Sequence, residues 1–149
     1  MDLLVNDTPE LQSFPDLEFK TKRNNVAIIL LLQALTDTEQ LKYVWVSNCH
    51  LFWDPKVPEV KLMQAWYLLR KLHEFQQTMC KEMNLTADQF TTLACGDFNS
   101  LPDSMVYELH AMQCIKETIV PQIVRYSSIV EFTSPVRFES SYKTLGEPV

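Results

Sequence analysis

The order of hydrophobic and polar positions predicts two neighbouring strands early in the chain. Residues 26–32 are apolar without interruption up to Gln33, which is typical of a strand buried on both faces. Residues 37–40 are polar and predict a turn. Residues 41–48 then alternate β-branched and aromatic positions with others, as a strand does. We therefore expect an antiparallel pair of strands joined by that turn.

A long helix is predicted over residues 59–83, after Pro55 and Pro58 interrupt the chain. Apolar positions recur there every three or four residues, so they form one stripe on which Gln76 is the single polar member. The stripe comprises Leu62, Ala65, Trp66, Leu69, Leu72, Phe75, Gln76 and Met79. This spacing indicates packing against a core and not a cofactor site.

Shorter elements follow the long helix. Residues 86–88 predict a loop, and residues 91–95 predict a buried strand. Residues 104–111 predict a short helix, for which Asp103 or Ser104 is the amino-terminal cap. The chain therefore mixes strands and helices and belongs to the α/β class.

Length and composition are those of one globular domain. The 149 residues are 46% hydrophobic, and a chain of this size buries roughly 70% of its unfolded surface. We divide it into an irregular lead-in at residues 1–16 and a domain at residues 17–149. The net charge of −6 lacks the basic excess that nucleic-acid-binding proteins usually carry, so recognition of a polyanion has to rest on a local site.

Cysteine spacing and hydropathy indicate a compartment. The four cysteines lack Cys-x-x-Cys spacing, so they predict neither a zinc cluster nor a disulfide framework, and they suit a reducing environment. No secretory signal pattern is visible, and the longest apolar run is too short to cross a bilayer. We expect an intracellular protein with no membrane partner. The cytoplasm is the expected compartment, and the nucleus and the mitochondrion are the alternatives.

Polar side chains gather where two predicted strands end. The strand at residues 41–48 ends at Asn48, and His50 follows two residues later. Asp97 and Asn99 follow the strand at residues 91–95. An Asp oxygen binds Mg²⁺ or orients a water, an Asn amide donates to a phosphoryl oxygen, and a His contacts phosphate or exchanges a proton. The ordinary alternatives are an Asp-x-Asn-Ser turn and a His bonded to a backbone carbonyl.

Five short motifs carry a resemblance to a known family. They are Asn-x-His at 48–50, Trp-Asp-Pro at 53–55, Val-Lys-Leu-x-Gln at 60–64, Gly-Asp-Phe-Asn-Ser at 96–100 and Pro-Asp-Ser at 102–104. In their order and separations the chain resembles the endonuclease/exonuclease/phosphatase superfamily, the DNase-I-like enzymes. Within it the chain is most similar to the deadenylases, the carbon catabolite repressor, angel and nocturnin-like branch. The likeness runs from about residue 23 to residue 148.

The resemblance implies a fold and an activity. The fold is α/β, a partial two-sheet β-sandwich flanked by helices, with mostly antiparallel or mixed strands. The activity is that of a Mg²⁺-dependent 3′–5′ exoribonuclease, which shortens mRNA poly(A) tails from their 3′ ends and releases 5′-AMP. Residues 114–135 correspond to a variable insertion of the family.

The resemblance also implies roles for individual residues. Asp97, Asn99 and His50 are the catalytic residues, and Asp97 is in addition a ligand of one or two Mg²⁺ ions. Three further residues belong to the substrate side, namely Asn48, Trp53 and Pro55. The proline matches one that packs against an adenine base in deadenylases.

The chain departs from the family pattern in two places. Family members take a metal-binding Glu from a Leu-Gln-Glu segment, but here Ala34 follows Gln33. Their final Asp-His pair falls after Val149. We expect weakened Mg²⁺ binding and no turnover by these 149 residues alone.

Two other functions compete with the exoribonuclease. A catalytically inactive relative would bind RNA or a protein without cleaving, and an incomplete sandwich would need a protein partner to cover an exposed sheet edge. An inositol-lipid phosphatase or a DNA-repair endonuclease belongs to the same superfamily. Residues 53–55 and 60–62 argue against both, because those branches resemble the chain much less there.

Overall fold

A three-stranded mixed sheet lies at the centre of the computed structural model, which describes residues 23–35, 43–115 and 132–144. The strands are β1 (Ala27–Gln33), β2 (Tyr43–His50) and β3 (Phe90–Asp97), in the order β1-β2-β3. β1 runs antiparallel to β2, as predicted, whereas β3 runs parallel to β2. The predicted turn at residues 37–40 and the lead-in at residues 1–16 lie outside the described residues.

The long helix α1 (Pro58–Met83) connects the two parallel strands. Two residues of the first turn favour a helix that begins here. Pro58 has no N–H that would need an intrahelical partner, and the negative charge of Glu59 is stabilised by the positive end of the helix dipole. The helix ends at Asn84, a residue with φ of 52° whose N–H donates to the Cys80 carbonyl. The predicted helix is confirmed to within one residue.

The apolar stripe of α1 builds the core against one face of the sheet. Leu62, Leu69 and Leu72 are almost fully buried. Gln76 is buried as well, and its Nε2 donates to Thr92 Oγ1 on β3 over 2.9 Å. The placement of Phe75 on this stripe was wrong, since the residue is 50% exposed. At 100° per residue Phe75 is rotated away from the line through Leu72 and Gln76.

The remaining elements are short. A 3₁₀ helix (Ala87–Gln89) replaces the predicted loop before β3, because Thr86 and Gln89 form a capping box around it. The helix α2 (Met105–Met112) confirms the prediction, and Ser104 is its cap, with Oγ accepting from the Tyr107 N–H at 3.3 Å. A single turn, α3 (Ser141–Thr144), closes the described chain.

The strand β1 is not buried on both faces, as its apolar run had predicted. Ile28, Leu30 and Leu32 are 56%, 47% and 48% exposed, whereas Ile29 is partly buried against the core. Alternate residues of a strand point to opposite faces, and α1 covers only one of them. The described residues thus form one mixed sheet with helices on one side, and this arrangement confirms the α/β class. The described residues contain no second sheet of a sandwich.

In the part of the chain that the structure describes, no helix combines the length and the apolar character that crossing a membrane requires.

His110 on α2 lies between two phenylalanine rings. Its ring centre is 5.1 Å from that of Phe98 and 5.8 Å from that of Phe138. Its Nδ1 lies 2.7 Å from the Val106 carbonyl, so Nδ1 carries the proton and donates. Burial lowers the pKa of His110, and the bond to Val106 offsets part of that effect.

The lowered pKa of His110 predicts acid sensitivity. Below pH 6.5 the unfolded chain binds more protons than the folded one, so the free energy of unfolding falls as the pH falls. We expect a decrease between pH 7.5 and pH 5, measured by urea titration, and a smaller decrease in His110→Gln. The matched control is His73→Gln on α1, which should retain the wild-type decrease. An equal decrease in His110→Gln would contradict the assignment.

Candidate active site at the ends of the parallel strands

The parallel pairing of β2 and β3 sets His50 directly opposite Asp97. His50 Nε2 and Asp97 Oδ2 are 3.9 Å apart, and their side chains are 67% and 66% exposed. Asn48 lies two residues before His50 on the same face of the sheet and is also exposed. The ladder continues past the strands, since the Leu51 N–H donates to the Asp97 carbonyl at 2.9 Å. One imidazole and one carboxylate therefore share an open site at this sheet end.

Asn99 lies beside this pair through a tight turn. Its φ is 47°, a left-handed conformation that Asn tolerates better than most residues. Its backbone N–H donates to Asp97 Oδ1 at 2.8 Å, and its Nδ2 donates to the Leu51 carbonyl at 2.9 Å. The turn and the site thus coexist, because the turn fixes one oxygen of Asp97 while Oδ2 faces His50. Phe98 packs against the core.

Gly96 allows the two strands to meet at the site. Its φ is +125°, and a Cβ there would overlap the backbone of Cys49. The strand pairing of Cys49 with Gly96 comes one position before that of His50 with Asp97. Only glycine combines this conformation with so close an approach. The backbone of Gly96 therefore governs how close the two functional side chains lie.

The thiol of Cys49 underlies the site but does not supply a nucleophile. Burial, together with smaller contributions from the charges of Asp97 and Cys95, raises its pKa to about 11. A thiol with that pKa is neutral near pH 7 and unreactive. All four cysteines are free. Cys49 therefore belongs to the core.

Trp53 and Pro55 lie in the loop that leaves the end of β2. Trp53 is 67% exposed, so it is not a core residue, and Pro55 is exposed as well. Asp54 shapes this loop, because its Oδ1 accepts from the Lys56 N–H at 2.9 Å. Among the described residues no hydrogen bond or ring contact joins Trp53 or Pro55 to the His50 side. Their roles in substrate binding stay predictions.

The donor set at the strand ends fits a magnesium ion only in part. Mg²⁺ is held in proteins by one or two carboxylates together with waters and substrate phosphates. Asp97 supplies one carboxylate here, and within residues 23–35, 43–115 and 132–144 no group of three His, Cys, Asp or Glu side chains surrounds a possible metal position. Asp97 is thus the one described residue of the site that would hold the ion.

Three residues of the site's support were not assigned roles from the sequence. The Asn25 Nδ2 donates to the His50 carbonyl at 2.7 Å, and its Oδ1 accepts from Gln64 Nε2 at 3.2 Å. Gln64 Oε1 also accepts from the Phe52 N–H at 2.8 Å, and Lys61 Nζ donates to the Asn99 carbonyl at 2.6 Å. The signal that could have found two of them is the Val-Lys-Leu-x-Gln motif itself, which contains Lys61 and Gln64.

Curated proteins from several organisms are similar to this chain. Carbon catabolite repressor protein 4 homolog 4 of Arabidopsis thaliana is 40% identical over 130 residues, which is 87% of this chain and 28% of the relative. The CCR4-Not complex 3′-5′-exoribonuclease subunit Ccr4 is 35% identical in Saccharomyces cerevisiae and 33% identical in Candida glabrata. Each of these two matches covers 84% of this chain, and 15% and 14% of the relative.

The similarity confirms the resemblance to the deadenylase branch over most of this chain. The chain spans less than a third of the length of these relatives. No model of a known protein family matches it.

The close approach at Gly96 predicts a sharp effect of one methyl group. In Gly96→Ala the new Cβ meets the Cys49 backbone at a positive φ, so we expect a loss of about 3 kcal/mol in the free energy of unfolding, measured by urea titration. The matched control is Cys95→Ala on the neighbouring exposed position, with an expected change below about 0.5 kcal/mol. Equal stabilities of the two variants would show that the strands do not need a glycine there.

Proposed function

We propose that this chain, a homologue of the carbon catabolite repressor 4 proteins over most of its length, is part of a Mg²⁺-dependent 3′–5′ exoribonuclease that shortens poly(A) tails. The observation that carries the proposal is the union of His50, Asp97 and Asn99 at one end of two parallel strands. Two relatives at 33% and 35% identity are themselves named 3′-5′-exoribonuclease subunits.

The site residues have separable roles in this proposal. Asp97 would hold the metal, and the Asn99 N–H that bonds to its Oδ1 leaves Oδ2 open for it. Asn99 keeps one amide N–H beyond the one that Leu51 accepts, and this N–H contacts a phosphoryl oxygen. His50 is exposed, with its Nε2 3.9 Å from Asp97 Oδ2, and it contacts the scissile phosphate. When bound, the metal polarises the phosphate and lowers the pKa of a water.

The loop after β2 recognises the terminal base. Trp53 and Pro55 are exposed there, three and five residues after His50, so they follow the proposed phosphate contact closely in the sequence. A base stacked on such a surface gains on the order of 1–3 kcal/mol. Asn48, exposed on the same face as His50, adds a polar contact to the nucleotide.

A catalytically inactive binding module is the second candidate. It is favoured by the single carboxylate of the described site. In that case the chain binds RNA or a protein and does not cleave RNA. Proteins named subunits of the CCR4-Not complex are similar to it, so a protein partner is proposed with either candidate. The four free cysteines support a reducing compartment, and we propose the cytoplasm.

The proposal predicts Mg²⁺-dependent shortening of oligo(A). The complete gene product is incubated with 5′-labelled oligo(A) or a non-A oligonucleotide, with Mg²⁺ or EDTA. We expect a ladder of shortened oligo(A) that EDTA abolishes and that Asp97→Ala reduces by about 10³-fold or more, since that side chain is the metal ligand. The 149-residue chain alone should give no detectable turnover.

The matched control is Asp88→Ala, which removes an exposed carboxylate from the opposite end of β3 and should leave the rate unchanged. Cleavage by Asp97→Ala at the wild-type rate would remove Asp97 from the mechanism. Binding of oligo(A) by the complete gene product without cleavage would favour the inactive module. Robust cleavage by the 149-residue chain would show that further ligands are dispensable.

A further inference from the structure

We propose that Lys61, in the first turns of α1, is a positioning residue for the Asp97–Asn99 turn. The inference rests on the proposed function, because it assigns Lys61 a task in that same site. Lys61 is 8% exposed, and its ammonium donates to the Asn99 carbonyl at 2.6 Å. A lysine is rarely buried to this degree, because its charge loses hydration.

The surroundings of Lys61 make its burial costly. No carboxylate lies within ion-pair distance of its ammonium in the part of the chain that the structure describes. It also lies three residues after Pro58, near the positive end of the dipole of α1, where a cation is disfavoured. Charge pairing among the described residues therefore does not account for a lysine at this position. The contact that remains is the one to the catalytic turn.

The bond from Lys61 fixes the strained residue of that turn. Asn99 holds φ at 47°, and its N–H and side-chain amide bond to Asp97 Oδ1 and the Leu51 carbonyl. The Asn99 carbonyl accepts a third hydrogen bond, the one from the Lys61 ammonium. With Lys61 in place, hydrogen bonds hold the N–H, the carbonyl and the side-chain amide of Asn99, and the bond from its N–H orients the Asp97 carboxylate.

The next turn of α1 supports the other half of the site in the same way. Gln64 follows Lys61 by three residues, so the two share one helix face. Gln64 accepts from the Phe52 N–H and donates to Asn25, which in turn holds the His50 carbonyl. One face of one helix thus fixes the backbone after β2 and the backbone after β3. A small displacement at either end would separate His50 from Asp97, which are 3.9 Å apart.

A positioning role and a structural role predict opposite effects on stability. A structural role predicts that Lys61→Met lowers the free energy of unfolding, because the Asn99 carbonyl loses its donor. A positioning role instead predicts a loss of turnover without a loss of stability, since misplacement by about 1 Å costs on the order of 100-fold in rate. Lys61→Met separates the two roles, because it keeps the length of the chain and removes the donor.

The test uses the complete gene product and oligo(A) with Mg²⁺. For Lys61→Met we expect kcat to fall on the order of 100-fold with KM changed by less than about threefold, and Tm equal to that of the wild type or higher. Lys61→Arg keeps a cationic donor and should restore most of kcat. The matched control is Lys71→Met, the same substitution on the same helix at a lysine that pairs with Glu74 at 2.9 Å. It should leave kcat unchanged.

A second measurement separates this proposal from the proposed function. In the 149-residue chain, amide hydrogen exchange of Asn99 reports the bond from its N–H to Asp97 without any reaction. We expect exchange to be about tenfold faster in Lys61→Met and unchanged in Lys71→Met. If the wild-type gene product cleaves no RNA, the proposed function fails while this exchange still decides the role of Lys61.

Three results would overturn the proposal. The first is a wild-type kcat in Lys61→Met, and the second is wild-type exchange at Asn99 in that variant. The third is a lowered Tm, or failure of Lys61→Met to fold, which would make Lys61 a structural residue.

Discussion

The parallel register of β2 and β3 is the constraint on which the site depends. Parallel strands end at the same edge of a sheet, so the chain can bring His50 and Asp97 together although 46 residues separate them in the sequence. The backbone approach at Gly96 and the ladder bond from Leu51 to Asp97 maintain that register past the last regular pair. A slip by one residue would point one of the two side chains to the opposite face.

The crossover helix α1 helps to maintain this register in two ways. Its buried stripe holds the sheet from one side, and its first turns reach forward to the two loops that follow the strands. The same element therefore contributes hydrophobic burial and polar anchoring. The core below the site is apolar, and the neutral Cys49 thiol belongs to it, so that the ionisable side chains are concentrated at the open end of the sheet.

Local sequence signals were sufficient to predict helices and strands, but not which of their faces are buried. The 3.6-residue period gave α1 to within one residue, and Ser104 was among the two predicted caps of α2. The apolar run of β1 was misjudged, because a hydrophobic run does not tell how many of its faces are covered, and Ile28, Leu30 and Leu32 are exposed. Phe75 was misjudged because it lies at the margin of the helical stripe.

The sequence by itself determined the elements, the motifs and the family resemblance, because periodicity and short spacings are local properties of a chain. It also placed Asp97, Asn99 and His50 at strand ends. Only the tertiary structure decided that those ends adjoin and that Lys61 and Gln64 hold the two loops. These are contacts between segments 12 to 48 residues apart, and pairing across such distances is set by packing and not by local preference.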